Sequence, residues 1–87
     1  MPRLFIPPQL RVFVGGCELV EAPGGTLGAV VADVERRFPG FRARICVDDQ
    51  IRPGLAISID GRFASLGLLQ PVAESAEVYF LPAVGGG

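Results

Sequence analysis

Thr26-Leu27-Gly28-Ala29-Val30-Val31-Ala32-Asp33-Val34-Glu35-Arg36-Arg37-Phe38 is the stretch from which the fold can be read. Leu27, Val30, Val31, Val34 and Phe38 recur at i, i+3, i+4, i+7 and i+11, one apolar stripe on a helix. Asp33, Glu35, Arg36 and Arg37 take the opposite face. Thr26 is placed to cap the first turn with its hydroxyl. Arg36 and Arg37 lie where the helix dipole favours cations, and Pro39-Gly40 stops the helix. This is the one strong helical pattern in 87 residues. Such a stripe is core packing, so the helix has to cover one face of a sheet.

Working outward, the flanking segments supply that sheet. Arg3 to Ile6 reads as a strand closed by Pro7-Pro8, which cannot donate to a ladder. Leu10 to Val14 alternates and is a strand by period. Gly15-Gly16 marks a turn, Cys17 to Glu21 a further strand, and Pro23-Gly24-Gly25 a break. Beyond the helix, Phe41 to Val47 has no clear period and reads as one short irregular strand, followed by a polar loop from Asp48 to Gly54. Leu55 to Ile59 is a strand, and Asp60-Gly61 is a two-residue hairpin turn into Arg62-Phe63. Ser65 to Gln70 suits a helical turn and Pro71 to Ser75 a loop. Ala76 to Leu81 is the last strand, rich in β-formers, and Pro82 ends it. The expected organisation is α+β: a single domain over residues 1–81, with one main helix on a four- to five-stranded mixed sheet, then a tail over 82–87. No internal repeat is visible.

Composition excludes several functions. The formal net charge is −1 and the charges are scattered, which argues against nucleic acid and anionic membrane as partners. All eight positive side chains are arginine, so no side chain can accept an isopeptide bond. Histidine, the commonest general base and metal ligand, is absent. Cys17 and Cys46 have no metal-ligand spacing and read as packing residues or inert thiols; no metal site is expected. No apolar run approaches the ~20 residues of a membrane span, and the proline-rich start is no secretory signal, so the expected location is the cytoplasm. Asp48 and Asp49 are adjacent and read as a solvated turn rather than a catalytic pair. Gly24-Gly25-Thr26-Leu27-Gly28 precedes a helix but lacks the lysine of a phosphate-binding loop.

The distinctive feature is the end of the sequence. A final strand runs into Ala83-Val84-Gly85-Gly86-Gly87. Three glycines stabilise nothing, and taken alone they fit a frayed end or a cloning remnant as well as a working tail. The working reading has a physical basis. Glycine lacks a Cβ, so its backbone passes through a cleft that other residues would block, and its carbonyl carbon is open to attack. A terminal carboxylate carried into a partner's active site can attack the α-phosphorus of ATP, become an acyl-adenylate and then take sulfur. The carrier itself needs no catalytic side chain.

Gln9-Leu10-Arg11-Val12-Phe13-Val14-Gly15, Thr26-Leu27-Gly28-Ala29-Val30 and Val78-Tyr79-Phe80-Leu81-Pro82-Ala83-Val84-Gly85-Gly86-Gly87 resemble the MoaD/ThiS sulfur-carrier family of ubiquitin-like β-grasp proteins. The second and third stretches are most similar to its cysteine-biosynthesis, CysO-like branch. Together with the turn at Ile59-Asp60-Gly61, the match covers nearly the whole chain in order. The resemblance implies a β-grasp fold whose first and last strands pair in parallel at the sheet centre. It places Gln9 to Phe13 in a loop or short helical turn, and we follow it over the strand period there. It implies a carrier rather than an enzyme. Gly87 would be adenylated by an E1-like partner that uses ATP, take sulfur from a donor, commonly a cysteine-derived persulfide, and as a thiocarboxylate serve a sulfur-accepting biosynthetic enzyme. No cofactor would be bound. Gly85 and Gly86 would form the thin tail; the family usually ends in two glycines, and Gly85 stands where a bulkier residue is usual. Phe63, Leu81, Pro82 and Val84 would contact partners through the sheet face away from the helix, with Arg11 and Arg62 as a charged rim.

Three other readings remain open on sequence. One is the small subunit of molybdopterin synthase. Another is a ubiquitin-like modifier conjugated through Gly87, for which the absence of lysine forbids lysine-linked self-chains but not single conjugation. The last is an interaction module that keeps the fold without the chemistry.

Overall fold

A computed structural model describes residues 1–83. The first strand, β1 (Arg3–Phe5), turns Leu4 inward and leaves Arg3 and Phe5 on the other face. Pro7 cannot extend the ladder, and Pro8–Val14 winds into a 3₁₀ helix ended by Gly15 in the left-handed region, φ 65°. The helical turn implied by the family resemblance is therefore present where the alternation of Leu10 to Val14 alone would have placed a strand. The chain returns as β2 (Leu19–Glu21), antiparallel to β1 with Leu4 opposite Val20.

The main helix, α1 (Leu27–Arg37), begins as its sequence dictates: the Thr26 side chain accepts a hydrogen bond from the Ala29 N–H at 3.2 Å. Leu27, Val30, Val31 and Val34 are buried and join Leu4, Ile57 and Val78 of the sheet in one core. Each such side chain contributes about 1.5–3 kcal/mol by leaving water. Phe38 is only partly buried and closes the lower edge of the stripe.

Phe41 to Val47 departs from the irregular strand expected of it. Phe41–Ile45 is a short helix, α2, followed by β3 (Cys46–Val47), which pairs with β4 (Gln50–Ile51) in a separate two-stranded hairpin. Phe41 and Ile45 are both fully buried, and Phe41 meets Phe80 edge to face at 6.0 Å. Asp48, in the left-handed region at φ 56°, makes the hairpin turn that the sequence suggested was a longer loop.

β5 (Leu55–Ile59) and β6 (Arg62–Phe63) form the predicted hairpin, with Asp60 and Gly61 at φ 50° and 84° as the two central residues of a primed turn. A single 3₁₀ turn, Gly67–Leu69, follows. The last strand, β7 (Glu77–Pro82), takes in Pro82 and lies between β1, parallel to it, and β5, antiparallel. The sheet order is β2-β1-β7-β5-β6. Parallel neighbours need a long crossover, and the path through α1 supplies it. The architecture is the five-stranded β-grasp with one main helix on one face.

Candidate functional site

The face of the sheet away from α1 is assembled by strand alternation. On β7, Val78 and Phe80 point into the core, so Glu77, Tyr79 and Leu81 stand on the outer face. Register carries this across the sheet in one row: Leu19 opposite Phe5, Phe5 beside Tyr79, Tyr79 opposite Ser58, Ser58 opposite Phe63. Phe5 and Tyr79 stack with ring centroids 4.6 Å apart. Leu81 lies one step along, opposite Ala56. The row is open at both ends, since Phe63 is 68% and Leu19 43% exposed, and Leu81 is 41% exposed. Exposed apolar side chains gathered on one face are of the kind at which proteins meet partners.

The outer face is not highly charged. Arg3 and Glu77 form an ion pair on its β1–β7 seam. The Tyr79 hydroxyl donates to Glu77 at 3.4 Å; partial desolvation and then the charge of Glu77 push its pKa up.

The sequence-predicted contacts divide between two places. Phe63 and Leu81 share the outer face, separated by β5. Pro82 pairs with Leu55 and has the opposite parity. It lines a groove of about 230 Å³ at the end of β7, floored by Leu10, Leu55 and Phe80 and flanked by Arg44 and Arg52. The Ala83 N–H donates to the Gly54 carbonyl at 3.0 Å, fixing the point from which the tail departs. Val84, Gly85, Gly86 and Gly87 lie outside the described residues.

Arg11 and Arg62 do not form a rim together. Arg11 donates from Nε to the Ile6 carbonyl at 2.9 Å and faces Glu18 beside β2. Arg62 sits opposite Ile59 on the far edge strand, with the parity of the core side rather than that of Phe63. Phe5, Leu19 and Tyr79 complete the outer row and were not singled out from sequence, although the inward Leu4, Val20 and Val78 imply them by alternation.

Neither cysteine belongs to this face: Cys17 is exposed on the loop before β2, and Cys46 is buried, with its thiol pKa raised by desolvation. Among the described residues no group of three His, Cys, Asp or Glu side chains converges to hold a metal, and no helix is long and apolar enough to cross a membrane.

Comparison with known proteins agrees with this fold. Residues 5–87 match the ThiS family. The chain belongs to the ThiS family. Among curated relatives, the sulfur carrier proteins CysO of Mycobacterium bovis and Mycobacterium tuberculosis are each 39% identical over 90 aligned positions, covering 94% of this chain and 94% of theirs. Among solved structures, the crystal structure of the Amycolatopsis orientalis BexX/CysO complex contains a chain that superposes with a TM-score of 0.91 at 30% identity, over the full length of both. Mycobacterium tuberculosis CysO superposes with a TM-score of 0.87 at 30% identity, covering 97% of this chain and 100% of that one. The small archaeal modifier protein 1 of Methanosarcina acetivorans, 20% identical with a TM-score of 0.78, shares the fold of this ThiS-family chain.

Proposed function

We propose that this chain is a sulfur carrier whose reactive group is the carboxylate of Gly87, serving the biosynthesis of cysteine or a related sulfur metabolite in the cytoplasm. The observation that carries the reading is the 39% identity to CysO sulfur carriers over nearly the whole chain, in a sequence whose last strand leads into Gly85-Gly86-Gly87. In the reaction, a Gly87 carboxylate oxygen attacks the α-phosphorus of ATP within an E1-like partner and pyrophosphate leaves. Hydrosulfide then adds to the carbonyl carbon of the acyl-adenylate, the bond from that carbon to the AMP oxygen breaks, AMP leaves, and loss of the S–H proton gives a thiocarboxylate. The chain's own contribution is positional. The central strand β7 is hydrogen-bonded on both sides and holds the root of the tail, Gly85 and Gly86 let the backbone enter a narrow channel, and the outer row with Phe63 and Leu81 supplies the docking surface. Val84 lies between that surface and the glycines in sequence. That the Amycolatopsis CysO occurs in a complex with BexX supports reading this chain as one that meets a partner protein.

The test is intact-mass spectrometry after incubation with ATP, the adenylating enzyme of the same organism and a sulfide source. The expected product is heavier by the difference between one sulfur and one oxygen. Deletion of Gly87 abolishes it and leaves the unfolding transition unchanged. A Cys17→Ser variant, which removes the exposed thiol, still forms it. Sulfur gained by the shortened chain, or lost with Cys17, overturns the reading.

A further inference from the structure

Five of the eight arginines have a carboxylate within 4.0 Å: Arg3, Arg11, Arg36, Arg37 and Arg42. Among the described residues Arg44, Arg52 and Arg62 have none. Arg62 is alone on its edge strand, but Arg44 and Arg52 flank the same groove at the root of the tail, and no Asp or Glu lines it. Both are held in place. The Arg44 guanidinium lies over the Phe13 ring, 4.4 Å from its centroid, and Arg52 Nη1 reaches the Arg44 carbonyl at 3.5 Å. Two ordered, exposed cations without counter-charge over an apolar floor are complementary to a surface that is acidic and apolar.

Chain length decides which surface that is. From Ala83, tied to Gly54 in the groove wall, four residues lead to Gly87. Fully extended, they span at most roughly 14 Å. An enzyme that reacts with the Gly87 carboxylate must therefore bring its channel mouth against the surface around Ala83, and the groove is that surface.

We propose that Arg44 and Arg52 are a second docking point for the adenylating enzyme, engaged by carboxylate side chains at the mouth of its tail channel. This rests on the assignment of Gly87 as the adenylated group. The apolar outer row supplies contact area. The arginine pair steers the approach and fixes which end of the sheet meets the channel.

The experiment measures ATP–pyrophosphate exchange by the adenylating enzyme as a function of carrier concentration. Arg44→Glu and Arg52→Glu are each expected to raise KM for the carrier about tenfold, with kcat within about twofold, as for loss of a steering charge. Arg44→Lys retains most of the affinity. Arg36→Glu, on the exposed side of α1, serves as the control and leaves KM unchanged. The kcat/KM of the wild type falls with added salt, and that of the double charge reversal does not. The variants change exposed side chains, and their thermal unfolding is checked beside that of the wild type. If the wild type supports exchange but both reversals leave KM unchanged, the docking point is disproved and the function stands. If the reversals lower KM, the groove instead holds the chain's own acidic end, and the proposal is overturned. If the wild type supports no exchange, the function and the docking point fall together.

Discussion

Gly24 is fixed by what lies against it. Its φ is 154°, and a Cβ there would sit 2.7 Å from the Val30 backbone nitrogen and 2.9 Å from the Val30 Cγ2. That nitrogen donates to the Thr26 carbonyl at 3.1 Å, so it cannot retreat without opening the first turn of α1. Gly24→Ala is expected to cost about 1–3 kcal/mol, seen as a lower urea midpoint with unchanged slope. At Gly25, where a Cβ meets nothing within 4 Å, the same change costs less than about 0.5 kcal/mol. The sequence shows both glycines as a chain break and cannot say which of them carries the constraint, because that depends on a backbone atom several residues on. The outer face was more legible. Alternation about Val78 and Phe80 determines where Tyr79 and Leu81 point, and the family resemblance identified Phe63. Arg44 and Arg52 could not be found in this way, since nothing local tells that residues from α2 and the loop before β5 flank the end of β7.

Among the elements, α1 declared itself through five apolar positions on one stripe, whereas α2 did not. Five residues are too few for a period to register, and Phe41 and Ile45 at i, i+4 fit a buried strand pair nearly as well. What makes α2 helical comes from outside it. The Glu35 carboxylate accepts from the Gly40 N–H at 3.1 Å and the Arg42 N–H at 2.8 Å, filling the unpaired donors at the start of α2. The sequence placed Glu35 on the polar face of α1; the fold uses it to join two helices. Those backbone donors, Arg42 first and then Gly40, hold its pKa below the usual carboxylate range. A lowered folded pKa means that the contribution is complete above the unfolded value and is lost as pH falls through the folded one. Glu35→Gln is therefore expected to be less stable than the wild type at neutral pH. The gap in urea midpoint narrows on acidification and closes once Glu35 is protonated in both states. A gap that does not change with pH shows that the charge has no part in the cap.

Across the whole molecule, β7 connects the two halves of the sheet. It pairs with β1 at Arg3–Glu77, Leu4–Val78 and Phe5–Tyr79 and with every residue of β5 from Leu55 to Ile59. Without it, β2-β1 and β5-β6 are two separate hairpins, each too small to stand alone in water. A fragment of residues 1–75 should show no cooperative unfolding in a urea titration followed by circular dichroism, and adding a peptide of residues 76–83 should restore one. The position of this strand sets a biosynthetic order. The ribosome releases β7 after every other described element, so the core cannot close until the segment bearing the glycines is about to emerge. A copy that stops short of β7 lacks the folded platform, and under the proposed function it offers an activating partner nothing to grip. If the chain is the proposed carrier, its fold would withhold charging from any copy that ends before its central strand.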